Sequence, residues 1–316
     1  MGVPKLTSWA ASGAPPEVAS VVEVADRVYA YVQPAGGWCV NNAGVLVGPE
    51  GVVLVDTAAT ERRARWLAAA VRGLGGGRVH TVINTHHHGD HTFGNHLFSP
   101  PAAVVGHELA REEMIGTGLA LTRLWPGVDW GDVRVVPPGV TFRDTLTLHL
   151  GDRRCELIHV GPAHTTNDVV VWLPADRVLF VGDVALSGCT PFNLMGSIAG
   201  SLVALDRLRG LGAKTVVCGH GPVSGPEVLD ETAHYLRWIQ QVAAGSQPRG
   251  ITPLQAAREA GLADFAHLLD PERIVGNLHR AYAELGGGEL GEPLDVAPVF
   301  GEMIEYNGGT LPPSSA

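Results

Sequence analysis

The stretch NTHHHGDHTFGN, residues 84–95, packs four imidazoles and one carboxylate into the six positions from His86 to His91. Composition alone would produce an HxHxDH spacing in roughly one chain in a thousand, so the arrangement points to chemistry and not to a solvated face. Neutral imidazole and carboxylate are ligands for borderline divalent ions; with no thiolate among them, zinc fits, and iron and manganese also fit. On a loop that leaves a strand, alternate residues face one way. His86 and His88 can then share one ion, while Asp90 and His91 turn toward a second. His87 falls on the other side of that alternation and reads as a surface residue or one lying behind the ligands.

Further donors sit far along the chain, near glycines where backbone can approach a site closely: His164 in GPAHTTND, Asp183 in FVGDVA and His220 in VCGHGP. His86, His88 and His164 can serve one ion and Asp90, His91 and His220 the other, with the Asp183 carboxylate bridging them. Two ions about 3.5 to 4 Å apart would bring a bridging water close to ionisation at neutral pH and supply a hydroxide nucleophile. Asp90 is the candidate catalytic residue, as ligand or proton acceptor. No GxSxG elbow offers a serine nucleophile instead. Asp56 ends a first-half strand as Asp183 ends a second-half one, so it can hydrogen-bond a ligating imidazole from behind or merely cap a turn. His96 and His107 read as structural; His80, His149, His159, His234, His267 and His279 have no clustered partner and receive no role.

The elements that must position these groups follow from periodicity. ASVVEVADRVYAYVQ and NNAGVLVGPEGVVLVD carry β-branched runs punctuated by Gly, Pro and Asn and read as short strands. TERRARWLAAAVRGLGGG has helical apolar spacing, and VHTVINT is a strand running into the histidine cluster. The order recurs: RVLFVGD ends in Asp183, SLVALDRLRGLG is helical and KTVVCGHG ends at His220. Each half therefore reads strand to Asp, helix, strand to His, the pattern of a duplicated supersecondary unit in an α/β protein. GDRRCELIHVGPAHTTNDVVVWLP gives two strands joined by the His164 loop. Beyond about residue 226 the pattern is helical, in EVLDETAHYLRWIQQVAA, TPLQAAREA with Thr252 and Pro253 as N-cap and N1, and PERIVGNLHRAYAELGGG. The expected division is a loose leader over 1–18, a layered domain over 19–225 and a helical extension over 226–316 packed on the same domain, ending in a frayed LPPSSA tail.

Bulk composition excludes several classes. A net charge of -10 without a Lys/Arg cluster argues against a nucleic-acid surface. Cys39, Cys155, Cys189 and Cys218 show no CxxC pairing and read as buried free thiols of a reducing, cytoplasmic protein. No apolar run reaches the roughly 18 residues of a membrane span, the N-terminus has no signal-peptide core, and Leu6 breaks a myristoylation pattern.

The seven-donor set resembles that of the metallo-β-lactamase superfamily, over about residues 20–225. The resemblance implies a four-layer αββα sandwich with the metal site between its halves, and hydrolysis of esters, thioesters or related bonds. An aspartate at 183 favours thioesterase-like and glyoxalase-II-like branches over antibiotic hydrolysis, whose branches usually carry a non-bridging or thiolate residue there. Three inserts, GGWCVNN, LTRLWPGVDWGD and SGCTPFNLMGS, contribute Trp38, Trp125, Trp130, Phe192 and Met195 as candidate walls of a pocket for a flat, apolar acyl chain. These inserts, with PPGVTFRDTLTL, GPAHTTNDVVVWLP and EYNGGTLP, are similar to those of the bacterial type II aromatic polyketide second-ring cyclases of actinorhodin type. That likeness implies aldol ring closure on a poly-β-ketone carried as an acyl-carrier-protein thioester, followed by hydrolysis. The alternatives are a general glyoxalase-II-type thioester hydrolase, a metal-binding oxidoreductase and a non-catalytic metal protein. Di-iron oxidoreductases usually carry a carboxylate where His88 stands.

Overall fold

The computed structural model describes residues 19–316, so the leader expected over 1–18 lies outside the described residues. Strands β1 (Ser20–Ala25), β2 (Val28–Val32), β3 (Ala43–Gly48), β4 (Gly51–Val55), β5 (Val79–Ile83), β6 (Ala103–His107) and β7 (Val140–Phe142) hydrogen-bond in chain order into one sheet. Strands β8 (Thr145–Leu150), β9 (Arg153–His159), β10 (Val169–Leu173), β11 (Val178–Gly182) and β12 (Thr215–Cys218) form the second, in the order β12-β11-β10-β9-β8. Both sheets begin as antiparallel meanders and turn parallel where a helix crosses over. Helix α1 (Glu61–Gly73) carries the chain from β4 to its parallel neighbour β5, and α4 (Ile198–Gly210) carries it from β11 to β12. The repeated order legible in the sequence is thus repeated topology. Both crossover helices start at a hydroxyl cap, Thr60 accepting from Arg63 N and Ser197 from Gly200 N.

Side-chain alternation sorts the strands into layers. Val53 and Val55 of β4 face Val169, Val171 and Leu173 of β10, closing a dry core between the sheets. Their neighbours Val52 and Leu54 face outward onto Leu67, Ala70 and Val71 of α1. On the other side Val170 and Trp172 of β10 pack beneath Leu205 and Leu208 of α4. The result is the expected α/β architecture of helix, sheet, sheet and helix, with shorter α2 (Gly89–Thr92) and α3 (Glu108–Thr117) on the first side.

Four further helices thicken the second outer layer: α5 (Glu227–Ser246), α6 (Pro253–Ala260), α7 (Arg273–Leu285) and α8 (Val296–Tyr306). Leu229 and Ile239 of α5, Ile274 and Leu278 of α7 and Phe300 and Met303 of α8 join one core with α4. Thr252 and Gln255 complete a reciprocal capping box at α6. No helix among the described residues is long and apolar enough to cross a membrane. The tail departs from expectation, because it is pinned instead of frayed. Pro313 O accepts from Trp38 N at 2.9 Å, Pro312 O accepts from Trp125 Nε1 at 2.8 Å and Ser315 O accepts from the buried Arg63. Donors that would otherwise be buried without partners hold it in place.

Candidate metal centre

The first three histidines are delivered by the end of β5. Asn84 and Asn95 bond each other's side chains, the Asn95 amide donating to Asn84 Oδ1 at 2.8 Å, and this crosslink fixes the loop between them. His88 is the extended cap of α2, so the chain turns into a helix there and brings Asp90 and His91 round to the same centre. From the second sheet come Asp183 after β11 and His220 after β12. The latter strand's last turn must approach closely: a Cβ on Gly219 would stand 1.8 Å from Asp183 Oδ1.

All seven predicted donors meet at one place. His91 Nε2 lies 3.3 Å from Asp183 Oδ1, and His220 Nε2 lies 3.2 Å from Asp183 Oδ2 and 3.4 Å from Asp90 Oδ2. His88 Nδ1 and His164 Nε2 are 2.9 Å apart. Three sets of donor atoms converge closely enough to hold a cation, His86 with His88 and His164, His86 with His91 and Asp183, and Asp90 with His91 and His220.

The outer nitrogens decide which inner ones are free. His91 Nδ1 donates to Asp56 Oδ2 at 2.9 Å, His220 Nδ1 to Val40 O at 2.8 Å, and His164 Nδ1 to Phe192 O. His86 Nδ1 lies 3.0 Å from Thr85 Oγ1, whose own proton goes to Asp56 Oδ2 at 2.7 Å. These four imidazoles are thereby oriented from behind with Nε2 inward, whereas His88 turns its Nδ1 to the centre. The inner atoms His86 Nε2, His91 Nε2 and Asp183 Oδ1 are buried and have no hydrogen-bond partner among the described residues. Buried polar atoms without partners are costly, and several converging on one point fit a bound cation. The residues present therefore suit divalent metal.

Electrostatics agree. Burial pushes His86, His88 and His164 down, keeping them neutral and ready to ligate. Burial also opposes charge on His91 and His220, but the surrounding carboxylates outweigh it; His91 is held well above its usual range, and His220 is raised to about 9 by Asp183 and Asp90. Burial likewise opposes ionisation of Asp90 and Asp183, and the imidazoles of His91 and His220 hold both low nonetheless. The carboxylates demand positive charge between them, so a metal ion entering the site expels protons.

A cavity of about 80 Å³ opens on this centre, lined by His88, Asp90, His164, Asp183 and His220 on one side. Trp38, Trp125, Phe192 and Met195 line its apolar side, with Leu121 and Leu124. Trp130 does not line it. Its indole donates to Trp125 O at 3.2 Å and its ring packs edge-on against Phe93, so it buttresses Trp125 from behind; its insert carries two tryptophans, and only one can face the site. His87 is buried and not at the surface, with its ring nitrogen 3.0 Å from the Asn167 amide. Asp56 takes the imidazole-orienting alternative. His96 is structural, its Nδ1 bonding Phe93 O, while His107 caps α3 and stacks at 3.8 Å on His159, a partner that sequence spacing did not show. Sequence reasoning also missed Arg273 and Phe300, which complete the wall from α7 and α8. Phe300 carried the ordinary signal of a buried helix face, and nothing local marks Arg273 as facing Trp38.

Comparison with known proteins agrees with this geometry. A family model described as "Metallo-beta-lactamase superfamily" matches residues 36–220, more than half of the chain. The chain is 24% identical over 304 residues to a linear primary-alkylsulfatase of Pseudomonas sp., an alignment covering 81% of this chain but only 57% of that longer protein. It is 30% identical over 233 residues to a hydroxyacylglutathione hydrolase of Methylococcus capsulatus, covering 72% of this chain and 79% of that one. Among solved structures, a metallo-beta-lactamase from Pontibacter korlensis superposes with a TM-score of 0.57 at 23% identity, over 69% of this chain and 99% of that one, a likeness of fold.

Proposed function

The chain belongs to the metallo-beta-lactamase superfamily of metal-dependent hydrolases, and from that premise we propose that it hydrolyses acyl thioesters with a flat, largely apolar acyl group. The observation that carries the reading is the cavity itself, where aromatic rings wall one side and the convergent His/Asp donors the other. His86, His88, Asp90, His91, His164, Asp183 and His220 would hold divalent ions, with zinc the best match to the donors, and when bound these would activate a water and polarise the carbonyl. Trp38, Trp125, Phe192 and Met195 exclude bulk water and lay the acyl plane against the donors. Asp90 lines the cavity, where its carboxylate can take the proton of the attacking water. As the carbon–sulfur bond breaks, that proton passes to the leaving thiolate, and the products are a carboxylic acid and a thiol. The Methylococcus relative supports the bond class, since an acylglutathione is a thioester.

The finer reading is a polyketide cyclase and thioesterase, with an acyl-carrier-protein thioester as partner and substrate. On it, a carbon between two ketones adds to a third ketone of the same chain before the thioester is cut. The tryptophan-bearing inserts that resemble those of type II cyclases support it, because a nascent fused ring is flat. The test is direct. Purified protein should contain close to two metal ions per chain and cleave a naphthoyl thioester in a chelator-sensitive way. Incubation with carrier-protein-bound poly-β-ketone should release a cyclised acid identifiable by mass. Linear acid alone would reduce the function to thioester hydrolysis, and cleavage confined to β-lactams or sulfate esters would overturn the thioester reading.

A further inference from the structure

Trp38 lines the cavity beside Trp125 and Phe192, whose rings lie 5.5 and 5.1 Å from its own, and its polar contacts come from more than two hundred residues away. Its indole Nε1–H donates to Glu272 Oε1 at 2.7 Å, and the guanidinium carbon of Arg273 lies 4.5 Å from the centroid of its ring. Phe300 of α8 meets the same ring edge-on at 5.8 Å. The backbone on either side is gripped as well: Asp270 Oδ1 accepts from Gly37 N at 2.9 Å, and Ser314 Oγ donates to Trp38 O at 2.9 Å. This loop needs external support, because Gly36, Gly37 and Cys39 all have left-handed backbone, at φ of 80°, 78° and 66°.

The grip uses expensive groups. Glu272 and Arg273 are 2% and 4% exposed, and buried charges are retained only where they are paired or hydrogen-bonded. Arg273 pairs with Asp270 at 3.1 Å and donates to Thr190 O at 3.1 Å, while its buried Nε has no partner among the described residues. No cation pairs with Glu272 among the described residues; its carboxylate faces the Trp38 indole. A carboxylate with that partner, beside a guanidinium stacked on the same ring, fixes both the plane and the direction of the indole.

We infer that Glu272 and Arg273 are positioning residues that lock Trp38 in place, so that the start of α7 shares in setting acyl selectivity through a ring carried on a loop of the αββα layers. The inference rests on the thioester reading and adds what chooses the acyl group. A ring already held in its plane offers stacking without the ordering cost that a free ring would incur on every binding event. An acyl group large enough to reach Trp38 feels the difference, and a small one does not.

The test compares naphthoyl and acetyl thioesters of N-acetylcysteamine on the metal-loaded protein. Glu272→Ala is expected to raise KM for the naphthoyl substrate roughly tenfold with kcat little changed, and to leave kcat/KM for the acetyl substrate within about twofold. Glu272→Gln keeps a carbonyl acceptor for the indole and should stay within about threefold of wild type on both. Acrylamide quenching, with Trp38→Phe used to isolate that indole's emission, should show Trp38 more accessible in Glu272→Ala at unchanged metal content. Equal losses on both substrates, without rescue by Glu272→Gln, would overturn the inference, as would unchanged quenching. If wild-type protein cleaves neither thioester, the thioester reading fails, and the quenching result alone decides whether the lock exists.

Discussion

Asp56 and Asp183 occupy the same place in two copies of one unit, yet they do opposite things. Each follows the strand that feeds a crossover helix, β4 in the first half and β11 in the second. Asp56 is saturated: its oxygens accept from Thr85 N at 2.8 Å, Thr85 Oγ1 at 2.7 Å and His91 Nδ1 at 2.9 Å. Asp183 faces the inner nitrogens of His91 and His220 at 3.3 and 3.2 Å, and its Oδ1 has no hydrogen-bond partner among the described residues. The backbone differs by one position. Asp56 itself takes the left-handed turn at φ 60°, whereas Gly182 takes it at φ 53° in the second half and leaves Asp183 one residue further on. A duplicated scaffold therefore supplies the place for a carboxylate, and the protons around it decide whether it orients a ligand or acts as one.

That contrast breaks or holds under substitution. Asp183→Ala should be the most damaging change, since on the proposed two-ion reading both positions lose their shared donor. Metal content measured by atomic emission should fall from two ions to one or none, and kcat/KM on the thioester by about a thousandfold or more. Asp56→Asn should be milder. The amide can still accept from Thr85, but its NH2 turns a donor toward a donor, and His91 loses its alignment. Weakening of metal affinity by roughly 10- to 100-fold, read by competition with a chelating dye, is expected with the ions still bound at saturation. Equal damage from the two substitutions would show that Asp56 does more than hold His91.

The parts of this design that sequence shows are those written in short range. HxHxDH is contiguous, and the strand-to-Asp, helix, strand-to-His order is carried by periodicity, so the donors and the layers were both legible. Pairing across distance was not. Trp125 and Trp130 lie in one insert with the same chemistry, and only packing assigns the first to the cavity and the second to its support. The tail carries turn residues that suggest fraying, but Trp38, Trp125 and Arg63 provide donors for its carbonyls. Arg273 looks like any helix-start cation until Trp38 is beneath it. Alternation sets His87 apart from the convergent donors but says nothing of depth, and His87 is buried as they are.

His87 and His220 extend the comparison to titration, because both are buried imidazoles and they are displaced in opposite directions. Burial drives His87 down to about 4, against the weaker pull of the neutral Asn167 amide at its ring nitrogen and of Asp90. His220 faces Asp183 and Asp90 and rises to about 9 in spite of burial. The consequences for stability have opposite signs. As pH falls below about 6.5 the unfolded chain protonates His87 while the folded chain does not, so stability is lost down to pH 4, by on the order of 3 kcal/mol. His220 in the metal-free protein contributes stability that is complete below about 6.5 and fades as pH rises through 9. Thermal melts of chelator-treated protein separate the two, since metal loss then plays no part. His87→Gln, which can still bond Asn167, should make the acid limb between pH 6.5 and 4 less steep, with His86, His88 and His164 carrying the remainder, and leave the alkaline limb as it was. A wild-type-to-variant difference in Tm that stays constant across the acid limb would mean that His87 accepts its proton in the folded state, and that the loop behind the ligands is wetter than its packing implies.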